Sequence, residues 1–370
     1  MHTGTWIRVV ASGTLCGAIV AGTVNAQAKG DTTSRADASR PSVSVLPVVG
    51  SAPETGFQYG VTAVRMYRLG PAASTRVSQD QVYAIRTAKS QAKAFVQTDR
   101  WLAGDAWRMR LRAEYARFPL PFYGIGGETP DTAEEWYTST GPLVLALVQR
   151  RIAPVTFAGV AARVTHTSVS DLEPGRELST GHILGVAGGT VSQLQGFIAR
   201  DSRDHVVAAH RGSFVQLTTT SANSAWGSDF DFMRYSVDGR KYWTFGNAHI
   251  LAAQFLVEAT SGNAPFDQMV QIGSDTAMRG YTRGRYRDKD GIGAQLEYRS
   301  PFVKRLGVVG FIGAGGVAPT VGKLSAATVR PSYGAGLRIL LFPAQRATIR
   351  IDYGRGTGSS GLYVALGEAF

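Results

Sequence analysis

The chain has 370 residues, with 39 Lys and Arg against 27 Asp and Glu, giving a formal charge of +12. Its residues are 44% hydrophobic with a mean hydropathy of −0.05, and nothing after Ala26 is long and apolar enough for a transmembrane helix. A bundle of membrane helices is therefore excluded. A basic balance can mark a nucleic-acid binder. Here the arginines alternate with apolar residues, as charges on one face of strands do, and no nucleic-acid partner is expected.

The amino-terminus reads as an address. Arg8 supplies a positive charge, residues 9–23 are mostly small and apolar, and Val24-Asn25-Ala26 has the small-x-small form of a cleavage site. Residues 1–26 are thus expected to be a secretory signal peptide. The apolar run is shorter than the ~20 residues of a spanning helix. Cys16, the only cysteine, lies inside the removed part and is preceded by Leu15, where a lipoprotein site requires a small residue. The mature chain then has no cysteine, so neither disulfides nor thiol chemistry is expected. Residues 27–41 are polar and mixed in charge, and are expected to be a short disordered periplasmic lead.

From Ser42 onward the pattern is strand-like. The clearest segment is residues 107–115. Trp107, Met109, Leu111, Ala113 and Tyr115 share one face, and Arg108, Arg110, Arg112 and Glu114 the other. On a helix these charges would spiral round every side; on a strand they segregate. Strands are expected at 42–50, 56–69, 76–88, 91–101, 106–118, 135–151, 155–167, 182–200, 212–222, 228–242, 246–261, 291–301, 307–317, 331–342, 346–355 and 361–370, which makes sixteen. No amphipathic helices separate them. Two connections are long, Pro119 to Glu134 and Gly262 to Asp290.

The last segment carries Leu362, Val364, Leu366 and Phe370 on one parity, interrupted only by Glu368. An apolar closing strand with a terminal Phe looks like the end of a bacterial outer-membrane barrel. Many alternating segments, an even count and unremarkable mean hydropathy fit such a barrel, because lipid-facing and lumen-facing residues alternate. Closure is a physical demand, since an open sheet edge in lipid leaves backbone groups unsatisfied. The fold class expected is all-β: a transmembrane antiparallel up-and-down β-barrel of 16 strands over residues 42–370, in the bacterial outer membrane.

Three stretches resemble the BamA/TamA-type outer-membrane assembly superfamily, also called the bacterial surface antigen family. Met278-Arg279-Gly280-Tyr281, in the longest loop, is similar to that family's Val-Arg-Gly-Phe/Tyr signature. Asp201-Ser-Arg203-Asp204, followed by Gly212, resembles its strand-turn-strand element. The barrel end, with Gln295 to Pro301, Ile351 to Gly354 and Phe370, resembles its closing strands. The resemblance covers roughly residues 196–370 and places the signature loop between the eleventh and twelfth strands. It implies that the loop folds back into the lumen.

Alternation then supplies partners. With Leu296 and Tyr298 facing lipid, Glu297 faces inward; with Ile351 and Tyr353 facing out, Asp352 faces inward. Arg279, a planar fork of donors, is expected to pair with one or both. Gly280 beside it permits close backbone approach. Family members that assemble or translocate proteins usually carry periplasmic POTRA repeats before the barrel; the fifteen or so residues of the lead are too few for one, so the chain is expected to be the barrel alone.

No catalytic residues are expected. Gly356, Gly358 and Gly361 formally fit a dinucleotide fingerprint, but they join two strands and open no helix. The histidines form no HExxH and no cysteine cluster accompanies them, so no metal and no cofactor are expected. Gly-x-Ser-x-Gly is absent. The functional expectation is a barrel that assists protein, or lipid, insertion or translocation through a weak seam between its first and last strands. Its partners would be outer-membrane lipids including lipopolysaccharide and a client outer-membrane or secreted protein. The alternatives are a plugged or gated anion-preferring pore lined by arginines 108, 110, 112 and 350, or a structural outer-membrane barrel.

Overall fold

The computed structural model describes residues 41–71, 75–206, 208–343 and 346–370. The expected signal peptide and all of the lead but Pro41 lie outside the described residues.

Among the described residues eighteen strands follow in chain order: β1 (Ser42–Ala52), β2 (Gly56–Arg68), β3 (Val77–Thr87), β4 (Ala92–Leu102), β5 (Trp107–Phe122), β6 (Glu135–Ala153), β7 (Thr156–Ser170), β8 (Gly189–Asp201), β9 (Gly212–Ala222), β10 (Phe232–Phe245), β11 (His249–Gly262), β12 (Val270–Ile272), β13 (Tyr286–Asp288), β14 (Asp290–Arg299), β15 (Leu306–Ala318), β16 (Arg330–Phe342), β17 (Ala347–Gly356) and β18 (Ser359–Leu366). All but β12 and β13 form one closed antiparallel barrel of neighbours in sequence. The two short strands pair with each other inside the β11–β14 connection. No helix among the described residues is long and apolar enough to cross a membrane.

Alternation places each side chain. On β5, Met109, Leu111 and Tyr115 are exposed on the outside, while Arg108 and Glu114 are buried within. Val82, Val96, Val160, Leu217, Phe255, Ile312 and Leu337 are likewise exposed. An exterior with so many exposed apolar side chains is unfavourable in water and natural against lipid. The interior is polar and charged, interrupted by apolar clusters such as Leu147, Phe157, Phe197 and Phe214.

Two sequence expectations need correction. The strand expected at 182–200 begins at Gly189. Gly185 and Gly188 have φ of +90° and +80°, left-handed values that end a ladder. Val186 packs instead with Leu178, Phe122 and Phe266. The last strand, expected to run to Phe370 on an apolar outer face, stops at Leu366. Gly367 turns with φ +81°, and Glu368, Ala369 and Phe370 enter the lumen, where Phe370 is 5% exposed. Phe370 therefore faces neither lipid nor a neighbouring strand.

Barrel closure is uneven. β17 and β18 stay in register from Ile349 opposite Leu366 to Gly356 opposite Ser359. Between β1 and β18 one pair is in register, Ser51 opposite Val364. Extended, that register sets Leu366 opposite Val49, so residues 42–48 run past the end of β18. They pair with β2 on their other side.

Candidate functional site: a loop pinned inside the barrel

The β11–β14 connection enters the lumen and carries Arg279, Gly280 and Tyr281 to the wall formed by β14–β18. Arg279 is fully buried. Its Nη1 donates to Asp352 Oδ2 at 2.6 Å and its Nη2 to Glu297 Oε2 at 2.5 Å. Its guanidinium lies 3.5 Å from the Phe311 ring centroid, a cation stacked on an aromatic face. A planar fork thus bridges two strands, β14 and β17, that are not adjacent. An ammonium would reach one carboxylate well and the other poorly.

Gly280 has φ +112°, and a Cβ there would stand 2.5 Å from the carbonyl carbon of Arg355. Its amide donates to Tyr363 Oη at 2.9 Å, and its carbonyl accepts from Ser359 Oγ at 2.6 Å. Tyr281 is fully buried; its hydroxyl donates to the Pro331 carbonyl at 2.7 Å and accepts from the Thr357 amide at 2.8 Å. The wall is hollowed to receive them. A Cβ at Gly354 would lie 2.6 Å from the carbonyl carbon of Arg279, and one at Gly356 2.3 Å from the Tyr281 ring. The glycine run that formally resembles a dinucleotide fingerprint thus begins with a seat for an aromatic side chain.

Around Arg279 lies a charge network wider than the two carboxylates expected from sequence. Glu297 also accepts from Arg299 Nε at 2.7 Å. Asp352 also pairs with Arg338, and with Arg350 at 3.3 Å. Arg350 reaches Asp275 on the loop, and Arg338 Nε donates to Glu368 at 2.7 Å. Arg279, Arg299, Arg338 and Arg350 thus face Glu297, Asp352, Glu368 and Asp275: four cations against four carboxylates, each side chain no more than 14% exposed. Buried charges are tolerated only when paired and hydrogen-bonded in this way. Inward parity on β16 was the available signal for Arg338. Glu368 escaped because a straight strand sends it outward.

A second lock holds the same loop to the β5–β6 connection. The Gly126 amide donates to the Arg287 carbonyl at 2.7 Å, and Arg285 Nε donates to Asp131 at 2.9 Å. The two long connections therefore act on one another.

The strand-turn-strand element lies away from this loop, at the β8–β9 turn. Arg203 forks onto the Asp201 carboxylate at 2.9 and 2.7 Å and covers Phe214 at 4.7 Å. Asp204 accepts from the His210 and Arg211 amides at 2.9 and 3.2 Å and pairs with Arg346 at 2.8 Å, tying this turn to the β16–β17 turn. Burial pushes the Asp204 carboxyl up, but the Arg346 hydrogen bond and the two amides outweigh it and hold it below its ordinary value. Burial, then the Arg346 charge, pushes His205 and His210 down. Gly212 has φ +101°, and a Cβ there would strike the Ser202 carbonyl at 2.3 Å.

The arginines expected to favour anions are engaged. Arg108 and Arg110 both bind Asp99, Arg112 binds Glu114 together with Lys93, and Arg350 binds Asp275 and Asp352. Among the described residues no group of three or more His, Cys, Asp or Glu is placed to hold a metal ion.

A search of curated proteins finds no match. Among solved structures, BamA from Haemophilus ducreyi lacking POTRA domains 1–3 superposes with a TM-score of 0.61 at 13% identity, over 89% of this chain and 70% of that one. CdiB from Acinetobacter baumannii gives 0.56 at 10% identity, over 88% of this chain and 65% of the other. CdiB from Escherichia coli gives 0.57 at 10%, over 87% and 62%. The chain thus spans less than two thirds of either CdiB, and at these identities the likeness is one of fold. Residues 74–370 match the model of the Omp85 superfamily domain. The chain belongs to the Omp85 superfamily, whose β-barrel fold is characteristic of bacterial outer-membrane proteins.

Proposed function

We propose that this barrel assists the insertion or translocation of a client outer-membrane or secreted protein, or of lipid, by opening between β1 and β18. The observation that carries the reading is the meagre ladder at that junction, with Ser51 opposite Val364 its one registered pair. Residues 42–48 offer a strand edge there, and an exposed edge can template an incoming strand through main-chain hydrogen bonds. Pro47 lacks an amide donor and weakens any competing closure. The surroundings would be outer-membrane lipids, lipopolysaccharide included. A wide anion pore has less support, because the signature loop occupies the lumen and the arginines that would select anions already have carboxylate partners.

A disulfide across the junction tests the reading. Ser51→Cys and Val364→Cys stand opposite each other, within the reach of a cross-strand bridge. The purified barrel is reconstituted in vesicles, and protease-resistant folding of a urea-denatured outer-membrane protein is followed. Wild-type barrel should accelerate client folding, the oxidised double variant should not, and reductant should restore it. Equal rates oxidised and reduced, or no acceleration by the wild type, would overturn the proposal.

A further inference from the structure

The turn at Gly367 has a consequence beyond strand length. It delivers Glu368, Ala369 and Phe370 into a prepared site at one end of the lumen. The Phe370 ring lies 6.4 Å from the Tyr242 ring, in a cluster with Ala209, Ala252 and Ala369. Arg299 Nη2 donates to the Phe370 main-chain oxygen at 3.1 Å, and its guanidinium sits 5.6 Å from the ring centroid. Glu368 takes Arg338 Nε at 2.7 Å and Arg299 Nε at 3.6 Å.

Both of those arginines serve the signature loop as well. Arg299 holds Glu297 and Arg338 holds Asp352, the two carboxylates that receive Arg279. The tail and the loop therefore draw on one set of buried charges from opposite sides. Without Glu368, Arg299 and Arg338 are left with Glu297 and Asp352 as carboxylate partners and bind them more closely. Those carboxylates then have less need of Arg279, and the loop loses part of what pins it. The apolar part of the site is specific too, since small walls at Ala209 and Ala252 leave room for a ring.

We propose that residues 367–370 are a latch: a lumen site for a short acidic-aromatic peptide, filled by the chain's own tail, whose occupancy holds the signature loop in place. The idea is independent of opening between β1 and β18 and does not rest on the function proposed above.

The experiment uses the full barrel in detergent micelles with single reporter cysteines. Val270→Cys reports the loop, because Val270 is buried with Met278, Tyr281 and Tyr286. Ala161→Cys reports the distant lumen face of β7. Maleimide labelling is compared between the chain ending at Phe370 and one ending at Leu366. The latch predicts a rise of about tenfold or more at Val270→Cys with little change at Ala161→Cys, and recovery of slow labelling when a peptide copying residues 365–370 is added at millimolar concentration. Unchanged labelling at Val270→Cys would overturn it. So would an equal rise at both sites, which is general loosening, or failure of the peptide to restore protection. Should the shortened chain not fold, Glu368→Gln and Phe370→Ala in the 370-residue chain carry the same comparison, each expected to speed labelling at Val270→Cys only.

Discussion

Replacing Gly356 with Ala adds one methyl group and removes no charge, yet it should dislodge the signature loop. The new Cβ would stand 2.3, 2.5 and 2.6 Å from three carbons of the Tyr281 ring. Ordinary carbon contacts begin near ~3.5 Å, so ring and strand must part by about 1 Å. That movement strains the Tyr281 hydroxyl, which holds Pro331 at 2.7 Å and Thr357 at 2.8 Å. Overpacking of this kind costs about 1–3 kcal/mol. Against it, alanine restricts the unfolded chain and returns about 0.4–1 kcal/mol where the backbone is compatible. The net expectation is a loss of up to about 2.5 kcal/mol in urea unfolding of the detergent-solubilised barrel, with faster proteolysis of the loop. The diagnostic is a sign change. With Tyr281→Ala already in place there is no ring to strike, so Gly356→Ala should become neutral or slightly stabilising. If Gly356→Ala costs the same with and without Tyr281, the strand is not a seat for that ring and the packing argument fails.

Further outcomes follow from the same geometry. Arg279→Gln keeps most of the volume but leaves Glu297 and Asp352 short of a cation. Because Arg299, Arg338 and Arg350 remain, the loss should fall below the about 3–5 kcal/mol of a fully orphaned buried partner, and loop cysteine labelling should rise at unchanged barrel content by circular dichroism. Gly212→Ala forces a left-handed φ and a clash with the Ser202 carbonyl, and should lower stability by at least about 1–2 kcal/mol in the same unfolding assay. The turn around Arg346 should make stability fall with acid in two stages. His205 and His210 are lowered in the folded barrel, so the unfolded chain binds protons first as pH drops below about 6.5, and stability declines from there. Asp204 is lowered as well, so its contribution is present above about pH 3.9 and is lost as pH falls through its folded value. Unfolding midpoints measured from pH 7.5 to 3, with and without His205→Gln and His210→Gln, should show the first stage reduced in the double variant.

Nearly all of the barrel was legible because the period of two is so strict. A single residue's parity decides between lipid and lumen, and no competing helical pattern obscures it. The same rule assigned Glu297 and Asp352 to the inside, and the resemblance of Met278 to Tyr281 to a known signature pointed to what would meet them there. Alternation fails wherever the chain stops being a strand, and both misreadings lie at such places. Residues 182–188 are apolar enough to pass for a strand, but Gly185 and Gly188 take conformations that no ladder accepts. Glu368 and Phe370 share the parity of Leu362, yet Gly367 turns that parity inside out and changes an apolar rim into a charged plug. Glycine carries both errors and also the missed seats at Gly354 and Gly356, since its lack of a side chain leaves no mark in a hydropathy pattern. What a pattern of side chains cannot express is where backbone comes close to backbone. In this barrel that is how the loop is received, so the pinning arginine could be read from sequence while the surface it presses against could not.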